Sequence, residues 1–429
     1  MHVAVIGGGY AGMAAAVTLA AGGAPVTVFE AAKTLGGRAR RVEHAELALD
    51  NGLHILIGAY RETLRLMRLV GADPERQLLR VPFTWQIHER FSLKAGRLPA
   101  PLHLLSGLLA ARGIPLGERL GAARFLLAMR RSGYTLPQDT SVTRLLEREQ
   151  QGAGAVRLLW TPLCVSALNT PPGIASAQVF LNVLRDSLSA ERGASDLLLP
   201  RTDLSALFPD PARAWLEARG AAVLTGQRVT AIDPGEHGFS VRHAAGAAPA
   251  FTHVICALPP HQVKAFLIGI SALIELAETI DRFAYQPIYS VYLRYPEALR
   301  LPAPMLGFDS ALLQWAFDRD ALCGQTGLIG VVISAEGGHE VHAHGELAQL
   351  VHQELQQQLG PLPEPSWSRV IAERRATFAC VPGLRRPENA TPLRNFFLAG
   401  DYTAGDYPAT IESAVRSGIG AAKLVLRPR

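Results

Sequence analysis

The first thirty residues restrict the fold more than any other part of the chain. Val3-Ala4-Val5-Ile6 is an apolar run, and Gly7-Gly8-Gly9-Tyr10-Ala11-Gly12 follows at once. An alanine-rich stretch of helical composition comes next, and Val26-Thr27-Val28-Phe29-Glu30 closes the unit. This is strand, glycine turn, helix, strand and terminal acid, the order a dinucleotide-binding βαβ unit requires. Gly7 permits the tight turn, Gly9 lets backbone approach a pyrophosphate, and Gly12 lets the helix pack close to the strand. Tyr10 and Ala11 open the helix, whose N-terminus offers unpaired N–H groups and a positive dipole end to phosphates. Glu30 is placed to accept hydrogen bonds from ribose hydroxyls. The alternative is a glycine turn that packs a helix and binds nothing; the flanking strands and the acid weigh against it.

Three further motifs extend the site. Leu35-Gly36-Gly37-Arg38 puts glycines and a cation soon after the ribose acid, so Gly37 and Arg38 are expected to make a second phosphate contact. Asp50-Asn51-Gly52-Leu53-His54 is a turn between apolar runs, and its glycine would let the chain pass close to a flat ring. Asn51, Gly52 and Leu53 are therefore cofactor contacts, and His54 is either a proton donor facing the ring or a satisfied structural histidine. Far downstream, Asn395 to Asp401 is an apolar strand ending in Gly400-Asp401, and a helix is expected after Pro408, with Thr410 and Ile411 near its start. Asp401 suits the sugar-like chain of a flavin, and the helix N-terminus suits its ring carbonyls. Tyr407 is read as lining the flavin face or as a packing tyrosine. A site drawn from both chain ends favours FAD over NAD.

The material between is interleaved. Residues 82–210 are rich in proline and leucine, with helical patterns over Arg119 to Arg131 and Val179 to Leu188. The first mixes arginine with leucine, which suits an interfacial helix or an ordinary helix against the core. Short strands are expected near Val223-Leu224, Gln227 to Ile232 and His253 to Ala257, then Ile288 to Leu293 and Gly327 to Ile333. A helix is expected over Gly345 to Leu359. The expected division is an FAD-binding domain of residues 1–81, 211–260 and 368–429, and a substrate domain of 82–210 and 261–367.

With 429 residues, 48% hydrophobic and 18% charged, the chain is globular and apolar for its size. Its excess of +5 is mostly arginine; the basic residues read as dispersed, and no nucleic-acid module appears. Cys164, Cys256, Cys323 and Cys380 are far apart and show no ligand spacing, so neither a metal site nor a disulfide framework is expected. No signal peptide is evident, and no apolar run reaches the roughly 18 residues of a spanning helix. The expected location is the cytoplasm, with peripheral contact on the inner face of the cell membrane left open.

Taken together, Gly7-x-Gly9-x-x-Gly12, Glu30, Gly36-Gly37-Arg38, Asn51-Gly52 and Gly400-Asp401 resemble the flavin amine oxidase and phytoene desaturase superfamily. The resemblance implies an α/β fold: a Rossmann-like FAD-binding domain of the glutathione-reductase type, an interleaved α+β substrate domain and a peripheral helical region. It also implies a backbone contact from Val229 to the adenine side. Within the superfamily, several segments resemble the squalene-associated hydroxysqualene dehydroxylases of hopanoid pathways. They are Ala167 to Pro171, Ala175 to Leu184, Leu197 to Leu204, Gln314 to Arg319, Glu373 to Phe378 and Gly400 to Thr410. That resemblance implies loss of a hydroxyl from a C30 isoprenoid, with hydride from reduced FAD and electrons from an unidentified donor. Asp318 and Arg319 would polarise the hydroxyl, or form a turn or ion pair instead. The rivals are a carotenoid desaturase, which needs an electron acceptor, a flavin amine oxidase, which needs an aromatic sandwich, and a non-catalytic flavin or lipid carrier.

Overall fold

A parallel five-stranded sheet forms around the first strand. In the computed structural model, which describes residues 1–188, 191–243, 246–247, 250–296 and 299–427, the strand order is Ala222–Leu224, Val26–Phe29, Val3–Ile6, His253–Cys256 and Phe396–Leu398. Val3–Ile6 and Val26–Phe29 are buried at every position, which explains their unbroken apolar runs. The strands come from three separated parts of the chain, so the sheet closes only when the late strand Phe396–Leu398 reaches the early one.

Two helices lock that closure. Tyr10–Ala21 and Ile411–Leu426 pack against each other through small residues, among them Ala11, Ala15, Ala421 and Ala422. A Cβ built on Gly418 would lie 2.1 Å from the Ala11 carbonyl oxygen. Only glycine permits so close an approach. The last helix therefore continues through Gly418 to Leu426, because this glycine serves contact rather than termination.

A second sheet of seven strands carries the substrate side. Its order is Trp367–Phe378, Tyr285–Arg294, Leu328–Ser334, Trp315–Asp318, Met305–Gly307, Thr84–Ile87 and Phe91–Lys94. All neighbours are antiparallel except Met305–Gly307 with Thr84–Ile87. Trp367–Phe378 belongs wholly to this sheet, so the chain returns to the nucleotide domain after Phe378 rather than at 368. Helix His344–Leu359 covers one face with Leu347, Val351 and Leu355. Helices Leu102–Leu109, Leu116–Arg131, Val142–Arg148, Thr161–Leu168 and Ala177–Leu188 form the expected helical region. Among the described residues, no helix is long and apolar enough to cross a membrane, and no cluster of three metal-ligating side chains occurs. The four cysteines are unbonded.

Candidate active site

A cavity of about 750 Å³ lies where the two chain ends meet the second sheet. Gly7, Gly9, Tyr10, Ala11, Glu30, Gly37, Arg38 and Asn51 to His54 line it, as do Val229, Gly400, Asp401, Tyr407, Thr410 and Ile411. Residues separated by nearly the whole chain thus share one wall.

The glycine turn shows why its spacing matters. Gly7 has φ +111°, and a Cβ there would meet the Ala257 carbonyl at 2.7 Å. A Cβ on Gly12 would lie 1.9 Å from the Gly7 carbonyl, which fixes helix against strand. Gly9 is different: a Cβ there would make only ordinary contact, with Gly37 Cα at 3.7 Å, so packing within the protein does not itself demand glycine. The Tyr10–Ala21 helix has no side-chain cap and no acid in its first turn. Its first residues border the cavity and no side chain accepts from their N–H groups, a fit for a pyrophosphate. Tyr10 itself turns away, donating from its hydroxyl to the Leu204 carbonyl at 2.7 Å.

Glu30 accepts from the Gly8 N–H at 2.6 Å and the Ala32 N–H at 2.8 Å. It organises the turn while still bordering the cavity. Arg38, expected as a phosphate partner, lines the cavity and donates to Asp401 Oδ1 and the Ala376 carbonyl, both at 2.6 Å. The reason is the sheet closure, which delivers the Asp401 carboxylate beside it. This ion pair ties the early motif to the late one. Asn51 Nδ2 donates to the Arg38 carbonyl at 3.0 Å and to Glu373 at 3.3 Å. Thr410 caps the last helix by accepting from the Ser413 N–H at 3.1 Å, a side-chain cap that the first helix lacks.

His54 Nδ1 donates to the Gly52 carbonyl at 2.6 Å. Burial lowers its pKa, helped by the charge on Arg38, against the pull of that hydrogen bond. The neutral ring then carries its proton on Nδ1 and presents Nε2 as an acceptor. Of the two roles the sequence left open for His54, its bond to Gly52 is that of a satisfied histidine, and its position on the cavity wall leaves Nε2 toward a ligand. Tyr407 donates its hydroxyl hydrogen to Asp186 and lies under the Arg416 guanidinium at 4.8 Å.

Asp318 and Arg319 do not reach the cavity. Strand alternation sends Trp315 and Phe317 inward and Ala316 and Asp318 to the other side. Asp318 caps the Arg319–Cys323 helix by accepting from the Asp320 and Ala321 N–H groups, each at 3.0 Å. Arg319, nearly fully buried, pairs with Asp50 at 3.3 Å and donates to Gln325 at 2.9 Å. A role in polarising substrate is therefore replaced by a capping role and a buried ion pair.

Other lining residues escaped sequence reasoning. Phe83, Trp85, Phe266, Met305 and Trp315 form an apolar wall. Trp85, Met305 and Trp315 lie on strands, Phe266 on a helix and Phe83 just before a strand, and no local spacing announces them. Arg386 donates to the carbonyls of Asp401 at 2.9 Å, Gly405 at 3.1 Å and Tyr407 at 2.6 Å, holding the loop before the last helix. Asn169 did leave a signal, as an asparagine ending a helix ahead of Thr-Pro. It has φ +46° and bridges Thr377 Oγ1 at 2.9 Å and the Ala335 N–H at 2.7 Å.

An uncapped helix end over a glycine turn, an acid from the far chain end and a contiguous apolar wall define a flavin-dependent oxidoreductase of Rossmann type. The chain belongs to the flavin-containing amine oxidoreductases, whose family model matches residues 10–426. It is 32% identical to a hydroxysqualene dehydroxylase of Rhodopseudomonas palustris, over 99% of this chain and 98% of that one. It is 29% identical, with the same coverage, to a hydroxysqualene dehydroxylase of Sinorhizobium fredii. The fold is that of cyclohexylamine oxidase from Brevibacterium oxydans, at TM-score 0.72 and 19% identity over 99% of this chain and 98% of that one. The cofactor is FAD, and the residues around the glycine turn and Asp401 are those suited to hold it.

Proposed function

We propose that this protein carries out the reductive dehydroxylation of hydroxysqualene to squalene. The observation that carries the reading is one uninterrupted cavity, running from the glycine turn and Asp401 to the wall of Phe83, Trp85, Met305, Trp315 and Phe317. A cavity of this kind sets a redox cofactor beside a hydrocarbon chain. The relatives named for this activity at 29% and 32% identity support the same substrate. When bound, reduced FAD supplies the hydride that replaces the hydroxyl, which departs as water with one proton taken up from solvent.

The protein's own groups do the rest. The apolar wall excludes water and binds the isoprenoid by area burial. His54 Nε2, as an acceptor, orients the substrate hydroxyl. The Tyr407 and Asp186 pair forms the polar patch that receives the departing water. Gly7, Gly9, Gly12, Glu30, Gly37, Arg38, Asn51, Gly52, Val229, Asp401, Thr410 and Ile411 hold the cofactor. Electrons come from a separate donor, since the chain carries no second dinucleotide fingerprint, and the substrate is met at a membrane surface.

Anaerobic incubation of the reduced holoenzyme with hydroxysqualene tests the reading. Squalene should form in step with flavin reoxidation. A flavin that stays reduced, with no squalene, rejects it, and desaturation of phytoene or dehydrosqualene by the oxidised form would move the protein to the desaturases.

A further inference from the structure

We infer that the face built by helices Leu102–Leu109 and Leu116–Arg131, with the loop before them, docks on an anionic lipid bilayer. Six leucines stand out from it. Leu98, Leu102 and Leu109 are 47%, 51% and 41% exposed, and Leu116, Leu120 and Leu127 are 56%, 46% and 38% exposed. On the longer helix, the spacing of Leu116, Leu120 and Leu127 puts all three on one stripe, with Arg124 and Arg131 beside it. The opposite face buries Ala122, Phe125 and Met129. The helix thus has its core contact already and carries a second apolar stripe toward solvent. Isolated exposed leucines are ordinary, but six within thirty residues on two packed helices are not.

Charge selects the partner. Residues 90–138 hold eight Lys and Arg and one acid, Glu118. The whole chain carries only +5, so the remainder is net negative. The basic residues are therefore concentrated here rather than dispersed, which corrects the reading from sequence. Lys94, Arg97, Arg112, Arg124, Arg130 and Arg131 are exposed, while Glu118 is turned inward to accept from the Ala155 N–H at 2.6 Å. Leucines flanked by cations match the boundary between acyl chains and anionic headgroups. A nucleic acid would answer the arginines but leave the leucines in water.

The face also adjoins a route inward. The Gly152 to Ala155 turn, pinned by Glu118, leads to a chamber of about 640 Å³ lined by Ala153, Val156 and Leu158. That chamber shares Val165, Ser166 and Trp315 with the active-site cavity. Delivery of a water-insoluble substrate along this route rests on the function proposed above; the docking itself rests on the exposed leucines and the charge.

Vesicle co-sedimentation of the FAD-loaded protein, without substrate, tests docking independently of the reaction. Vesicles of phosphatidylcholine and phosphatidylglycerol should bind it, phosphatidylcholine alone should bind it less, and high salt should weaken binding. The triple variant Leu116→Gln, Leu120→Gln, Leu127→Gln keeps good helix formers and should bind at least about tenfold more weakly. Its flavin content and melting temperature should match the parent. Wild-type protein that ignores anionic vesicles overturns the inference. So does undiminished binding by the well-folded triple variant, which would mean a purely electrostatic contact with polyanions. A wild-type dimer in light scattering that the variant abolishes would assign the face to a second copy of the chain.

Discussion

The two halves of the cavity hold their ligands by different physical means. The half from the chain ends works through backbone, with bare glycines and an uncapped helix end, braced by the Arg38–Asp401 ion pair at 2.6 Å. The half from the second sheet works through side-chain area, with Trp85 and Trp315 packed edge to face at 4.6 Å. Backbone recognition tolerates almost no substitution, because the missing Cβ is the feature. An apolar wall tolerates many, because volume and hydrophobicity are what it supplies.

The sharpest way to break this contrast is Gly12→Val. Its Cβ would fall 1.9 Å from the Gly7 carbonyl, so the helix must leave the strand. We expect a colourless protein destabilised by more than about 3 kcal/mol, read by flavin absorbance and thermal unfolding. Retention of stoichiometric FAD would show that the turn is not the grip.

The seam between the halves offers a second, smaller effect. Asp50, beside the early motif, pairs with Arg319 from the second sheet, and burial raises its carboxyl from 3.8 to about 6 despite that cation. An acid with a raised folded pKa holds its proton better when folded, so its stabilising share is greatest at low pH. That share is lost as pH climbs from about 4 through about 6, on the order of 3 kcal/mol. Urea midpoints across this window should fall for the wild type relative to Asp50→Asn. Parallel profiles would mean the carboxylate is ionised throughout.

The smallest effect belongs to the wall. Met305→Ala should raise KM for the isoprenoid about fivefold, for roughly 1 kcal/mol of lost apolar contact, with flavin content unchanged. Loss of flavin in this variant would erase the distinction between grip and wall.

The same distinction explains what could be read from residues alone. Gly7, Gly12 and Glu30 are legible because a local turn leaves few choices of residue at each position. The parallel strands Val26–Phe29 and His253–Cys256 were visible as short apolar runs. Arg38 was seen as a site residue, but its partner was not, since 363 residues separate it from Asp401. Asp318 and Arg319 misled because a charged pair near an apolar strand looks the same whether it caps a helix or faces a substrate. Only the alternation of Trp315–Asp318 in its sheet decides that. The exposed leucines of Leu116–Arg131 were similarly ambiguous, because composition does not say which of two apolar stripes meets the core.

The contact of Gly418 with Ala11 has a consequence for how the molecule is made. The first helix leaves the ribosome early and its partner is synthesised nearly four hundred residues later. At usual elongation rates that interval is roughly 20 to 80 seconds. During that time the nascent glycine turn has neither its companion helix nor the Asp401 carboxylate. Cofactor loading therefore waits on synthesis of the last helix rather than of the glycine turn.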